Sequence, residues 1–388
     1  MKKNVIFNYA FILLFLSLLA SCKKDNVAGN QSGQDNPAAL KSQPVEKKSM
    51  LIVTKSDFGP PVAFPRGLKF GPDGYLYVAV AGFGGSVSTD GNCTQVIPPV
   101  GPYKGGNTGK IMRISPDGTA TTVADHLPSQ VNALGFTSGV SAVEFIGNTL
   151  YALLDAGCSH GNPDYPSSLI KVNSDGTWSV IADLSTFFHN HPVAAPEADD
   201  FEPDGDSYSM VYTRGNFYVI EANHGEMLKV TTSGNVSRVL DFSAHYGHIV
   251  PTSVAYNDEN FFVGNLRTFP LVAGSSNIYK VTPGGEVKVW ETGFTGVLGV
   301  AFDEKERLYV LETSAGGGPT PNTGRVVRIN KNHTRDVIVD KLFFPTAITF
   351  GPDGALYVSN NGFGPPTGQI LKFVISDNVK KDKDKEKD

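Results

Sequence analysis

Four polar residues recur at equivalent places in the later part of the chain: Glu221, Asn265, Glu312 and Asn360. Each closes a short apolar run, and Val80 and Leu154 hold the corresponding places earlier in the sequence. Two carboxylates and two amides facing a shared channel could bind a divalent cation, calcium or zinc, and support metal-dependent hydrolysis. The other chemistry open to such a residue is structural, since its side chain can bond the backbone of a nearby turn.

A second group of acids is the run PEADDFEPDGD, with Glu197, Asp199, Asp200, Glu202, Asp204 and Asp206. Asp200 and Asp204 have the alternate spacing of a calcium loop, in which oxygens converge on one hard cation. The twelfth position counted from Asp200 is Val211, where an EF-hand needs Glu, so an EF-hand is excluded. The remaining readings are a looser cation site and a solvated loop whose acids cap turns. His189 and His191 stand just before this run and are metal or ligand candidates beside it. Other reactive signatures are missing: the chain has no H-E-x-x-H and no phosphate-cradling glycine loop. Arg66 and Arg267 could meet an anionic ligand, although isolated arginines beside loops are usually surface residues.

The elements that would position these groups are strands. FPRGLKFGPDGYLYVAVAG (64–82) and FPTAITFGPDGALYVSNNG (344–362) are two copies of one phrase, and a Tyr-Val or Phe-Val strand core recurs at Tyr77, Tyr151, Tyr218, Phe262, Tyr309 and Tyr357. That spacing gives six repeats. In Gly-Pro-Asp-Gly, Pro fits the φ of the second turn position, Asp bonds the local backbone and Gly accepts positive φ, so each copy predicts a tight turn between antiparallel strands. Both faces of these strands are apolar, and a ring of four-stranded blades covers both faces without helices. No amphipathic helical pattern stands out between the strands. The expected fold is therefore all-β, a six-bladed β-propeller of four-stranded antiparallel blades over 50–376. The last repeat lacks a fourth strand after GQILKFVI (368–375), and MLIVTK (50–55) is the strand available to close the ring.

Connections between first and second strands, and between third and fourth, are minimal. Those between second and third strands (82–108, 155–167, 265–276, 312–323) and between blades (126–138, 184–207) are longer, so one face of the ring carries the elaboration and is where a site belongs. Seven of the eight histidines fall on or beside that face. Cys93 and Cys158 could form a disulfide in an oxidising compartment or remain two buried thiols.

The ends bear on location. Lys2 and Lys3, the apolar run 5–19 and Leu-Ala-Ser-Cys at 19–22 read as a lipoprotein signal peptide over 1–21, with Cys22 as the lipidation site. A flexible linker is expected over 22–49 and a charged, disordered tail over 377–388. The expected setting is a lipid-anchored protein of the cell envelope, in the outer membrane. Net charge of -5 provides no basic field for nucleic acid.

PRGLKFGPDGYLYV (65–78), GNTGKIMRI (106–114), VPTSVAY (250–256), NIYKVTPGG (277–285), GVAF (299–302) and LYVLET (308–313), in that order, resemble the ScyD/ScyE family of exported, NHL-like six-bladed propellers. The resemblance implies the fold and an extracytoplasmic setting, and assigns no catalytic residue. The functional expectation is a module binding a small molecule, glycan or envelope protein. The alternative is a metal-dependent hydrolase or lactonase of the gluconolactonase-like propeller type.

Overall fold

The computed structural model describes residues 50–378; Cys22, the signal peptide, the linker and nearly all of the expected tail lie outside the described residues. The chain opens with strand β1 (Met50–Asp57) and then forms the first blade from β2 (Pro65–Phe70), β3 (Leu76–Val80), β4 (Lys104–Ile114) and β5 (Ala120–Val131), with the two-residue β6 (Thr137–Ser138) on its edge. The second blade is β7 (Val140–Ile146), β8 (Thr149–Leu154), β9 (Ser168–Val172) and β10 (Trp178–Asp183), followed by helix α1 (Leu184–Asn190). The third is β11 (Ser207–Thr213), β12 (Asn216–Glu221), β13 (Glu226–Thr231) and β14 (Val236–Asp241), followed by the single-turn α2 (Ser243–Tyr246). The fourth comprises β15 (Pro251–Asn257), β16 (Asn260–Asn265), β17 (Ser276–Val281) and β18 (Val287–Phe294). The fifth comprises β19 (Val297–Phe302), β20 (Leu308–Glu312), β21 (Gly324–Ile329) and β22 (Arg335–Leu342). The last blade holds β23 (Ala347–Phe350), β24 (Leu356–Asn360) and β25 (Gln369–Asn378), and β1 completes it. The fold is the six-bladed propeller the repeats predict.

Closure follows the predicted route. β1 pairs antiparallel with β25 from Met50 opposite Asn378 to Asp57 opposite Leu371, so the last blade takes its outer strand from the front of the chain. The repeated phrase builds the same turn twice. Asp73 accepts the Tyr75 amide at 3.1 Å and the Tyr77 hydroxyl at 2.9 Å, while Asp353 accepts the Ala355 amide at 3.1 Å and the Tyr357 hydroxyl at 2.9 Å. Gly74 and Gly354 take φ of 76° and 71°, which an L side chain resists.

The core consists of six apolar clusters, each between neighbouring blades. Val78 and Leu76 of the first blade meet Tyr357 and Ile370 of the last, and Ile220 and Met227 of the third meet Phe261 and Val263 of the fourth. The second strands are buried on both faces, which is why they read as continuous apolar runs. Hydroxyls fasten the innermost strands of neighbouring blades: Thr346 donates to the Pro65 carbonyl at 2.7 Å, Ser141 to the Ser207 carbonyl at 2.5 Å and Thr252 to the Val297 carbonyl at 2.6 Å. One element was not legible as a pattern. Helix α1 is only seven residues long, too short for a periodic signature, and is set by the Asp183 carboxylate accepting the Thr186 amide at 2.8 Å.

Candidate site at the channel mouth

Glu221, Asn265, Glu312 and Asn360 do not converge. Each ends a second strand and holds the backbone of the link that enters its own blade. Glu221 accepts amides of Asp206 at 2.7 Å, Asn223 at 2.9 Å, His224 at 2.7 Å and Gly225 at 3.2 Å. Asn265 donates to the Ile249 carbonyl at 2.8 Å and accepts the Asn277 amide at 2.7 Å. Glu312 accepts the Thr295 amide at 2.7 Å and is paired with Arg325, and Asn360 accepts the Phe343 amide at 2.9 Å. The two acids and two amides are thus a repeated staple, the structural alternative open to them in the sequence.

Among the described residues, three potential metal-binding groups do lie together: Glu221, His224 and Glu226, all buried. Their electron pairs are committed in part, and buried Glu226 Oε1 has no hydrogen-bond partner. Both oxygens of Glu221 receive two amides each, Glu226 is paired with Arg238, and His224 directs Nε2 to the Glu202 carbonyl at 2.9 Å. Burial pushes the Glu221 and Glu226 carboxyls up to about 7, and repulsion from Glu221 adds to the rise at Glu226.

The acid run disperses. Asp200 meets His248 Nε2 at 2.9 Å, whereas Asp204 is buried and accepts the amide and hydroxyl of Ser159 at 2.8 and 2.6 Å. His189 stands 3.5 Å from Asp204, half exposed, and His191 is exposed, stacked on Phe187 with its Nδ1 3.0 Å from the Phe187 carbonyl. Asp200 and Asp204 therefore turn to different partners, and the calcium-loop spacing does not bring those two carboxylates together.

What the sequence left scattered, the fold gathers at the channel mouth of the long-loop face. His160, fully buried, places Nε2 2.9 Å from Glu202 and Nδ1 2.8 Å from the Ala156 carbonyl, with Asp155 Oδ1 3.2 Å from the same Nδ1. Both ring nitrogens face acceptors, which favours the protonated ring. Burial alone would lower its pKa, but the Asp155 and Glu202 carboxylates outweigh burial and hold it well above the usual value. Tyr103 donates to Glu202 at 3.1 Å and Gln130 to Asp155 Oδ2 at 2.8 Å. Asp206 follows in the same link. Burial, and then repulsion from Asp155, Glu202 and Glu221, raises its pKa well above the ordinary carboxylate value.

Arg66 belongs to this group and corrects the surface expectation. It is 5% exposed, donates to the carbonyls of Gly362 at 2.6 Å and of Thr137, and lies over the Phe363 ring. Tyr208 and Asp206 are among the groups whose charges bear on it. The surrounding rim is aromatic: Phe136 and Phe83 are exposed, Phe136 packs edge-on to Phe363, and Phe83 edge-on to Phe64. Sequence position offered one signal. Arg66, Asp206 and Tyr208 stand at the entry to innermost strands, and Asp155 directly follows a second strand, so all should sit at the long-loop end.

Two ties hold the wall of this mouth. Cys93 and Cys158 form a disulfide with Cα atoms 6.3 Å apart, pinning the 82–108 loop to the second blade. Gly157 has φ of 115°, and a Cβ there would come within 2.2 Å of the Asp204 carboxylate carbon, so only glycine permits this approach. A separate groove of about 460 Å³ lies among the short turns of the fourth and fifth blades, beside Trp290, Lys331 and His333. Its charges are of mixed sign, and His333 is already paired with Glu291, so the chemistry concentrates at the opposite face.

No family model and no curated protein matches the chain. Among solved structures, it is similar to a protein of unknown function from Bacteroides thetaiotaomicron at 12% identity and a TM-score of 0.55, over 84% of this chain and 77% of that one. It is similar to the PQQ-bound aldose sugar dehydrogenase of Streptomyces coelicolor at 11% identity and a TM-score of 0.54, over 84% and 99%. A gluconolactonase from Xanthomonas campestris matches at 9% identity and a TM-score of 0.52, over 84% and 90%. Identity this low carries the propeller fold and no activity.

Proposed function

We propose that the protein is an exported binding module, anchored through Cys22 in the cell envelope, that takes a glycan at the channel mouth of its long-loop face. The observation that carries this reading is the pairing of an aromatic rim, Phe83, Phe136 and Phe363, with polar groups at the mouth, Asp206, Tyr208 and Arg66. Sugars bury their C–H faces on aromatic rings and present hydroxyls that need donors and acceptors close by. Membership of the ScyD/ScyE family is part of the same proposal, resting on the ordered phrases quoted above.

The alternative, a metal-dependent lactonase, draws on the propeller architecture shared with the gluconolactonase. It would need a cation at the mouth, and Glu221, Asn265, Glu312 and Asn360 are each occupied with their own blade. The test is glycan-array binding by the fragment 50–378, with Phe363→Ala as the site variant. Binding by the parent that is reduced at least tenfold in the variant supports the reading. No binding to any glycan, together with a stoichiometric metal whose removal lowers Tm, overturns it in favour of the hydrolase.

A further inference from the structure

We infer that the third blade holds a divalent metal ion, zinc in the first instance, between His224 Nδ1, Glu226 Oε1 and the Glu221 carboxyl. The site stands apart from the glycan reading and depends on none of it. All three side chains are buried, and one ligand atom from each lies within 4.8 Å of the others. They share one short link: Glu221 ends β12, Glu226 opens β13, and His224 lies in the turn between them.

The second observation is an acceptor without a donor. Glu226 is 0% exposed and its Oε2 takes Arg238 Nε at 2.5 Å, yet its Oε1 has no hydrogen-bond partner. That oxygen stands 4.0 Å from His224 Nδ1, too far for a hydrogen bond. The other ring nitrogen, Nε2, is 2.9 Å from the Glu202 carbonyl and carries the proton there, because a carbonyl only accepts. Nδ1 is then a lone pair turned toward a carboxyl oxygen. A metal ion with bonds of about 2.0–2.2 Å to nitrogen and oxygen reaches both.

The ligands are already oriented. Phe201 stacks on the His224 ring at 4.9 Å and 9°, Phe188 lies edge-on to it at 5.1 Å, and Arg238 is itself held by the Pro192 carbonyl at 3.3 Å. Outer contacts of this kind fix ring orientation and tautomer at metal centres. Of the four amides on Glu221, that of Gly225 is the longest at 3.2 Å and is the one an ion displaces. Charge is complementary as well, since two carboxyls share the Arg238 guanidinium and a divalent ion supplies the remainder. Imidazole beside carboxylate selects zinc over calcium, whose ligands are oxygens. The raised carboxyl values given above are those of the ion-free chain.

The experiment is elemental analysis of the full chain, purified in detergent without chelator, equilibrated with zinc and desalted, with thermal melts before and after EDTA. About one zinc per chain is expected, and its removal should lower Tm. Zinc affinity, read by competition with a chromophoric chelator, should fall at least about tenfold in Glu226→Gln, which keeps an oxygen for Arg238 and loses the carboxylate. A melt of this variant in EDTA that matches the parent's separates lost ligation from lost folding. If Glu226→Gln does not fold, His224→Phe, which keeps a ring against Phe201 and Phe188, reads the same loss. Glu312→Ala should retain the zinc, which distinguishes this ion from a channel cation of the lactonase kind. Zinc absent from the parent overturns the proposal and leaves a water to bridge the two acceptors. Zinc held equally by the parent and both site variants overturns it too.

Discussion

The guanidinium of Arg66 lies 4.3 Å over the ring of Phe363, and this contact joins the first blade to the last. Because Arg66 also donates to Gly362 and Thr137, it links three points of the mouth from a buried position. Arg66→Ala should leave two buried carbonyls without donors and lower stability by about 2–4 kcal/mol. A shift in the denaturant midpoint below about 0.5 kcal/mol would show that the three contacts contribute nothing net.

Stability should fall as pH rises through neutrality. Glu221 and Glu226, with folded values of about 7, and Asp206, raised well above its usual value, all lie higher than the unfolded values near 4. Their contribution is therefore complete below about pH 4 and is lost as pH climbs through each folded value. His160, also raised, acts in the same direction, contributing fully below about pH 6.5 and losing its share above. Urea unfolding at about pH 5 and pH 8 should give the higher midpoint at pH 5, with a smaller difference for Asp206→Asn. A higher midpoint at pH 8 would contradict the buried charges assigned here.

Glu312→Ala should cost about 2–4 kcal/mol, since it strands the Thr295 amide and removes the partner of Arg325. The bound metal content, whatever it is, should not change, because the side chain serves its own blade. Elemental analysis of parent and variant, alongside the denaturation midpoint, checks both halves. Loss of a stoichiometric metal in the variant would restore the channel-cation reading.

Reduction of Cys93–Cys158 should free the 82–108 loop before the ring opens. Disulfides of this kind contribute typically about 2–5 kcal/mol, and here the constraint holds a loop of the rim rather than a blade. Limited proteolysis under reducing conditions should cut first within 82–108. First cuts inside the blades would mean the disulfide supports the whole ring.

How much of this was legible follows from where each feature lies in the chain. Gly-Pro-Asp-Gly is a local instruction, so both turns and the equivalence of first and last repeats could be read directly. Closure by β1 was legible because one strand was missing at the end and one was spare at the front. The mouth was not legible, because Arg66, Tyr103, Asp155, His160 and Asp206 come from different links and loops, and each alone looks like ordinary loop polarity. Glu221 was open to two readings for the opposite reason: its recurring position suits a shared site, but the same register serves equally well to tie each blade to its own entry segment.

The pairing of Met50 with Asn378 sets a polarity for the whole molecule. β25 leaves the long-loop face at Gln369 and ends at Asn378 among the short turns, so both ends of the described chain emerge on the side opposite the mouth. A pull transmitted along the chain before Met50 would therefore load the clasp of the ring first, from beneath. The strand that completes the circle is also its mechanical fuse, and the long-loop face is the part of the molecule farthest from the load.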